Sequence, residues 1–320
     1  MEKHVIVTGG TGVTGNALIR YLLHRNIEVT TIVRPGSRRL ALLPENPLLH
    51  VVQCQMGELG RLKEEFPGGD YQAFFHLAWE GSHGIEKADS RNRMDLQLDN
   101  IRFVLEAEEL CRAAACPVFL VTGSQAEYGI CDCMVDENTP CNPENGYGAA
   151  KVCARQMVEI LCRQHGIRFI WARLFSVYGP HDGTRSMIDS ALLELFKGES
   201  PKYTQGFQMW NYLYSMDAAR ALALLALGNA EDGVYCVASP ESLPLREYIK
   251  MLHEVAAPDV KPLFGEIPYK NDRMVQLTVD TGKLRHATGF QPEYSFSQGV
   301  KAVCDWYRET GGALRNGELL

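Results

Sequence analysis

The fold of this chain is decided by residues 5–15, Val5-Ile6-Val7-Thr8-Gly9-Gly10-Thr11-Gly12-Val13-Thr14-Gly15. A β-branched run leads directly into glycines, and residues 16–23 then have the composition of a helix, which predicts strand, tight turn and helix. Glycine at every third position lets the backbone approach a pyrophosphate closely, and the unpaired N–H groups of the helix N-terminus then face that phosphate. The stretch therefore predicts a dinucleotide site formed by Gly9, Gly12, Val13, Thr14 and Gly15.

A phenol and an ammonium are spaced four residues apart at Tyr147 and Lys151, which places them on one face of a helix. A cation close to a phenol stabilises the phenolate and lowers the pKa of the tyrosine. The spacing predicts an acid/base pair in which Lys151 lowers the pKa of Tyr147. The alternative is an exposed helix face.

A serine follows the apolar run 118–121, at Ser124. Loops at the carboxyl ends of parallel strands are where such sheets bind ligands. Ser124 is therefore a candidate to hydrogen-bond a substrate oxygen beside Tyr147. The alternative is that it only caps a turn.

Together these segments resemble the short-chain dehydrogenase/reductase superfamily, in its extended branch that acts largely on nucleotide sugars. The resemblance covers nearly the whole chain. It rests on six motifs that occur in the family's order: the glycine turn from Thr8 to Gly15, His76-Leu77-Ala78, Asn100, the loop from Ser124 to Gly129, Tyr147 with Lys151, and the segment from Arg173 to Pro180.

The resemblance implies an α/β fold, a Rossmann-like doubly wound parallel sheet with a smaller C-terminal substrate-binding lobe. It implies a dinucleotide-binding domain over residues 1–175 and a substrate lobe over residues 176–320 that returns to the sheet. It further implies that Leu77, Ala78, Asn100 and Phe175 lie along the cofactor, and that two chains form a homodimer through the helix that precedes Ser124 and the helix that bears Tyr147.

Strands alternate with helices over the first half of the chain, which implies a parallel sheet. We predict buried strands at residues 28–33, 50–53, 72–76, 118–121 and 168–175. A helix is predicted over residues 91–115, with Met94, Leu98, Ile101 and Leu105 at helical spacing. This stripe is interpreted as core or as partner surface.

Composition excludes several classes of protein. The net charge is −7 and no basic cluster is present, which argues against a nucleic-acid or anionic-membrane surface. The longest apolar stretch, residues 218–227, is interrupted by Arg220, so no membrane span is expected. The ten cysteines are scattered and lack paired zinc spacing; we interpret them as reduced thiols of a cytoplasmic enzyme and expect no metal.

Cofactor choice depends on the residues after the second strand. A site for NAD usually carries an acid there, whereas the 2′-phosphate of NADP calls for arginine. Residues 33–39 contain Arg34, Arg38 and Arg39 and no acid. NADP is therefore the predicted cofactor, with NAD as the alternative.

In the resembled family, Ser124, Tyr147 and Lys151 would serve either a 4-ketoreductase or a 4-epimerase. Lys151 would hold the nicotinamide ribose. The predicted use of NADP favours reduction of a 4-keto-deoxysugar carried on a nucleoside diphosphate, since an epimerase that retains NAD needs no reductant pool. A non-catalytic dinucleotide sensor is disfavoured because the whole catalytic set is present.

One position departs from the family. Trp210 stands where the family has the arginine that grips the substrate diphosphate. Either another cation such as Arg273 replaces it, or the substrate is an apolar ketone such as a steroid or a phenolic. The predicted substrate-binding residues are Trp79, His83, Ser124, Ser176, Trp210 and Arg273, with simple packing as the alternative for the aromatic residues.

Overall fold

A seven-stranded parallel sheet forms the centre of the computed structural model, which describes residues 3–66, 69–82, 90–183, 186–269 and 276–310. The strand order is β11-β6-β5-β4-β1-β2-β3. The strands are β1 (His4–Thr8), β2 (Glu28–Val33), β3 (Leu49–Gln53), β4 (Tyr71–His76), β5 (Val118–Ser124), β6 (Arg168–Leu174) and β11 (Gly233–Val237). The predicted doubly wound sheet is confirmed.

Helices cover both faces of this sheet. α1 (Val13–His24) and α5 (Ser215–Leu227) pack on one face, while α2 (Met94–Ala113) and α3 (Gly146–His165) pack on the other. Successive side chains of a strand point to opposite faces. In β1, Val5 and Val7 accordingly join the core beneath α1 and α5, and Ile6 joins the core beneath α2 and α3.

The second half of the chain contributes shorter elements. Besides α5, the helices described there are α4 (Met187–Phe196), α6 (Leu245–Ala256), α7 (Gly282–Thr288) and α8 (Phe296–Glu309). Its short strands pair as β7 (Ser176–Tyr178) with β10 (Tyr212–Tyr214), β8 (Lys202–Tyr203) with β13 (Leu263–Phe264), and β9 (Met209–Trp210) with β12 (Leu243–Pro244). A separate core that includes Ile188, Leu192, Ile249 and Val300 holds this part together.

One expectation about burial was wrong. β3 is an edge strand and is not buried, since Val51 is 42% exposed and strand order places β3 beside β2 alone. In the α2 stripe Ile101 is buried and belongs to the core, whereas Met94 and Leu98 are 57% and 65% exposed, so for these two residues the partner-surface alternative stays a prediction. An edge position is a property of the whole sheet, and the local sequence does not encode it.

Candidate active site

The glycine turn joins β1 to α1 with very little free space. Gly9 has φ +74°, and a Cβ on it would lie 2.7 Å from the amide nitrogen of Ala78. A Cβ on Gly15 would lie 2.2 Å from the Gly9 carbonyl oxygen. Gly12 is exposed and caps α1 without a side-chain hydrogen bond. The first N–H groups of α1, including those of Val13 and Thr14, have no partner within the helix, so the turn fits a dinucleotide pyrophosphate.

The end of β4 lies against this turn. The Leu77 amide donates to the Thr8 carbonyl oxygen at 3.2 Å, and the Ala78 amide lies 3.4 Å from Thr8 Oγ1. His76 Nδ1 is 3.0 Å from the same hydroxyl. Both residues predicted to run along the cofactor, Leu77 and Ala78, are thus held beside the glycines.

The arginines after β2 differ in what they contact. Arg34 is exposed directly after the strand. Arg39 turns back over the glycine turn, where its Nε donates to the Thr11 carbonyl oxygen at 2.9 Å and its Nη2 donates to the His181 carbonyl. Arg39 therefore connects the glycine turn to the loop that contains His181. The Arg34 side chain, in contrast, is exposed at the end of β2.

Ser124 is the last residue of β5 and begins a helical turn. Its Oγ accepts a hydrogen bond from the Ala126 amide at 3.2 Å, and Glu127 Oε1 accepts one from the Ser124 amide at 2.7 Å. This reciprocal arrangement is a capping box. The capping role that we weighed as the alternative is therefore present, and it fixes the side chain of Ser124 at the carboxyl edge of the sheet.

Tyr147 lies in the first turn of α3, where the Asn145 side chain caps the helix through the Gly148 amide at 2.9 Å. The phenol is buried, and the Ser124 side chain lies close enough to act on its pKa. Burial raises the pKa of Tyr147, whereas the Ser124 side chain and the charge of Arg91 act in the opposite direction. The structure thus brings Ser124 and Tyr147 together as predicted.

Lys151 is buried four residues further along α3. Its Nζ donates to the Thr122 carbonyl oxygen at 2.6 Å and lies 3.7 Å from the centre of the Trp79 ring. Burial lowers the pKa of Lys151 to about 7, while the charge of Glu127 opposes this change. Burial dominates the pKa of Tyr147, which lies above the ordinary value of a phenol, and the expectation that Lys151 lowers this pKa stays a prediction.

Glu127 connects Ser124 to the neighbouring strand β6 through hydrogen bonds. It is fully buried and accepts hydrogen bonds from Trp171 Nε1 at 2.9 Å and from Arg173 Nε at 2.9 Å, in addition to the Ser124 amide. Glu127 was not among the predicted site residues. A serine followed three residues later by glutamate is a capping-box signal that could have identified it.

The remaining predicted cofactor residues have structural partners. The Asn100 side chain accepts from the Glu80 amide at 2.9 Å and donates to the Glu80 and Leu96 carbonyls, so it shapes the loop after β4. Phe175 is buried and faces the Tyr128 ring, with 6.3 Å between ring centres. Their contact with a cofactor stays a prediction.

The predicted substrate residues fall at different places. Trp79 packs edge-on against Tyr147, with 5.9 Å between ring centres, so it borders the candidate catalytic tyrosine. Ser176 begins β7 and pairs with Tyr212. Trp210 pairs with Leu243. His83 and Arg273 lie outside the described residues.

A cavity of about 510 Å³ lies in the second half of the chain, and seven of the twenty residues that line it are aromatic. Tyr178, Tyr212, Tyr248 and Phe296 are among its walls. None of Ser124, Tyr147 and Lys151 lines it. The acid/base groups therefore lie outside this cavity.

Three further observations concern metal sites, cysteines and membrane-spanning helices. Within the described ranges no cluster of three or more His, Cys, Asp or Glu residues could hold a metal ion. The ten cysteines are free thiols. No helix in the described part of the chain is long and apolar enough to cross a membrane.

Comparison with known proteins agrees with this geometry. Among curated proteins, a dTDP-glucose 4,6-dehydratase of Neisseria meningitidis serogroup B is 23% identical over 330 residues, which cover 95% of this chain and 93% of that protein. A putative UDP-glucose 4-epimerase of Methanocaldococcus jannaschii is 22% identical and covers 95% of this chain and 98% of its own length.

Solved structures share the fold. A UDP-N-acetylglucosamine 4-epimerase of Methanobrevibacter ruminantium M1 superposes with a TM-score of 0.86 at 22% identity, over 97% of this chain and 99% of that one. A dTDP-glucose 4,6-dehydratase of Streptomyces venezuelae, solved with NAD bound, gives 0.83 at 21% identity, over 98% and 100%.

The model of the NAD dependent epimerase/dehydratase family matches residues 5–238, most of the chain. This match confirms the resemblance that the motifs indicated. The chain belongs to the NAD dependent epimerase/dehydratase family and is an enzyme of that family.

Proposed function

We propose that this enzyme reduces the keto group of a nucleoside-diphosphate-linked 4-keto-deoxysugar, with NADP(H) as cofactor. The observation that carries the proposal is that Ser124 and the buried Tyr147 phenol lie side by side at the carboxyl edge of the sheet. The same sheet edge holds a glycine turn that fits a pyrophosphate. The named relatives that act on dTDP-glucose and UDP-glucose support a nucleotide sugar as substrate.

Different residues would carry out the different parts of the proposed reduction. The bound nicotinamide supplies the hydride. Tyr147 gives a proton to the substrate oxygen and Ser124 orients that oxygen, which is the work of a positioned general acid. The glycine turn with Leu77 and Ala78 holds the pyrophosphate end of the cofactor. Lys151, already the donor of one hydrogen bond to Thr122, has two further N–H donors for the ribose hydroxyls.

Dehydration is less well supported, although several relatives are named dehydratases. Loss of water across a C5–C6 bond needs one group to remove a carbon-bound proton and another to protonate the departing hydroxyl. In the turn after β5, Gln125 and Ala126 can do neither. Glu127 is fully buried, and its carboxylate accepts hydrogen bonds from Ser124, Trp171 and Arg173. Reduction needs only the single proton that Tyr147 can give.

The preference for NADP is supported by Arg34. Its guanidinium is exposed directly after β2, where a site for the free 2′-hydroxyl usually carries an acid. A 2′-phosphate would gain a charge-assisted pair there. Because NADPH is a diffusible reductant, this preference also favours reduction over epimerisation with retained NAD.

The diphosphate of the substrate requires a cation other than residue 210, which is tryptophan. We propose Arg273 for this role, and therefore expect Arg273→Ala to weaken the binding of a nucleoside diphosphate by about tenfold while cofactor binding stays unchanged. Calorimetric titration with CDP, dTDP and UDP measures both effects. Failure of all three to bind the wild-type protein would favour the apolar-ketone alternative.

We also propose that two chains associate through α2 and α3. These helices pack side by side, and each exposes large apolar side chains: Met94 and Leu98 on α2, Met157 and Ile160 on α3. A second copy would cover this face with the same face of its own in a two-fold dimer. Sedimentation of the wild type and of Leu98→Glu tests this, with a dimer expected for the first and a monomer for the second.

The direct test of function is an assay of NADPH consumption with dTDP-, CDP- and UDP-linked 4-keto-deoxysugars. Wild-type protein is expected to oxidise NADPH with at least one of them. Interconversion of UDP-glucose and UDP-galactose without added cofactor would instead identify a 4-epimerase.

A further inference from the structure

Arg91 places a second cation against the candidate catalytic tyrosine. Its guanidinium carbon lies 5.3 Å from the centre of the Tyr147 ring. Its Nε donates to the Ser82 carbonyl oxygen at 2.8 Å, which fixes the side chain from the other end. Arg91 was not among the predicted site residues, and its distance from Tyr147 along the chain does not indicate that the two side chains meet.

The backbone around Arg91 is also attached to the helix that carries Tyr147. Asn92 Oδ1 accepts a hydrogen bond from the Gly146 amide at 3.0 Å, one residue before Tyr147. A Cβ on Gly146 would lie 2.9 Å from the Arg91 carbonyl oxygen, so the two segments are in close contact. Arg91 and Tyr147 are therefore held in a defined relation at the first turn of α3.

Lys151 is a further cation near the Tyr147 ring, at a similar distance. Its Nζ is 5.9 Å from the centre of the Tyr147 ring, and it is directed to the Thr122 carbonyl and the face of Trp79. With its pKa lowered to about 7, Lys151 loses its charge just above neutral pH. A guanidinium keeps its charge at every pH at which the enzyme would work.

Four charged or titratable groups from the surrounding elements face this site. Arg91 approaches from the turn before α2, and Lys151 from α3 itself. Glu127 acts from the turn after β5 and favours the neutral phenol. His76, on β4, has a pKa lowered to about 3 by burial and by Lys151, so it is neutral. Within the described residues, Arg91 is the permanent cation that favours the phenolate.

We propose that Arg91 is a positioning residue of the active site, whose guanidinium holds the Tyr147 ring and stabilises the phenolate. This inference rests on the proposed function in one respect, the assignment of Tyr147 as the proton donor. A more stable phenolate makes Tyr147 a stronger acid towards the substrate oxygen during reduction. In the reverse direction it supplies the base that removes a hydroxyl proton.

The first experiment needs no substrate. Tyrosine labelled with 13C at Cζ reports ionisation by NMR, and Tyr147→Phe identifies the resonance among the thirteen tyrosines. Loss of an opposite charge at this distance is expected to move the titration midpoint of Tyr147 up by about one pH unit in Arg91→Gln. Arg91→Lys should restore most of the shift. Arg102→Gln, which removes an exposed arginine paired with Asp99 on α2, should leave the midpoint unchanged.

The second experiment measures the reverse reaction, oxidation of the sugar hydroxyl, in the same variants. At pH 8 the rate depends on the phenolate fraction, so kcat of Arg91→Gln is expected to fall by about tenfold, with its rising limb moved to higher pH and KM little changed. An unchanged midpoint in a folded Arg91→Gln protein would overturn the proposal. Equal shifts in Arg91→Gln and Arg91→Lys would overturn it too, because charge would then not be the cause.

The two experiments separate this inference from the proposed function. If the midpoint moves but Tyr147→Phe keeps full activity, the phenol is not the proton donor and the proposed function fails. The electrostatic effect of Arg91 on Tyr147 would nevertheless stand. If Tyr147→Phe is inactive and the midpoint does not move, the catalytic assignment holds and the role of Arg91 is wrong.

Discussion

The glycine turn and the surroundings of Tyr147 are two sides of one sheet edge, but they are built differently. At the turn, the backbone alone dictates the residue type, because a side chain on Gly9 or Gly15 would collide with main-chain atoms. Around Tyr147, side chains from separate segments meet: Trp79 follows β4 and Arg91 precedes α2. The difference indicates that the proposed cofactor side tolerates little change in residue type, whereas the proposed substrate side can vary with its side chains.

The largest effect is expected on the side-chain half of this comparison. Tyr147→Phe removes the proton donor but keeps the ring packed against Trp79, so the fold and cofactor affinity should persist. Turnover should fall by about 10²–10⁴-fold, the usual cost of losing a positioned acid. Steady-state kinetics with a circular-dichroism control measures this, and wild-type turnover by the variant would contradict the assignment.

The second-largest effect is expected from a change in the backbone of the glycine turn. Gly15→Ala would place a Cβ 2.2 Å from the Gly9 carbonyl oxygen and force the turn open. Overpacking of this kind costs about 1–3 kcal/mol, which corresponds to cofactor affinity reduced by roughly 10–100-fold. Gly60→Ala is the matched control, because a Cβ there meets nothing within 4 Å. Equal affinities for the two variants, measured by fluorescence titration, would show that the turn is not the cofactor site.

Replacement of Lys151 is expected to change stability and turnover in opposite directions. The ammonium is buried and, among the residues that the structure describes, has no carboxylate in hydrogen-bond contact, so Lys151→Met is expected to stabilise the fold by about 2 kcal/mol at pH 6 while turnover drops. The pKa is about 7 in the folded chain and 10.5 in the reference state. Below pH 7 both states are protonated and the cost of burial is complete.

As pH rises from 7 towards 10.5, the folded state loses its proton first and this cost disappears. The advantage of Lys151→Met should therefore shrink over that range. Urea unfolding at pH 6 and pH 9 measures it. An advantage that grows with pH would show that Lys151 is not destabilised by burial.

The smallest effect is expected at the cofactor's 2′ position. Arg34→Asp should weaken NADP(H) relative to NAD(H) by about tenfold, since only the 2′-phosphate pairs with the exposed guanidinium. Dissociation constants for both cofactors in both proteins give the ratio. An unchanged ratio would favour an epimerase that retains NAD.

Features set by local chemistry were predictable from the sequence. β2 was predicted at the residues it occupies, and the strand, turn and helix of the glycine motif are as expected. The meeting of Ser124 and Tyr147 followed from the resemblance and from the position of a serine at a strand end.

Features set by tertiary packing were not predictable. The exposure of Val51 follows from the position of β3 at the sheet edge. The direction of Lys151 follows from Thr122 and Trp79, which belong to other segments. The contact of Arg91 with the Tyr147 ring likewise depends on the fold, because no spacing in the sequence points to it.

The most direct test of the central claim is the fate of the hydride. NADPH deuterated at the transferring position would be supplied with dTDP-4-keto-6-deoxyglucose and the product examined by NMR and mass spectrometry. The account predicts one NADPH oxidised for each product molecule and one deuterium on the carbinol carbon at C4, with no product from Tyr147→Phe. Sugar epimerised without net oxidation of NADPH, or product without deuterium, would contradict it.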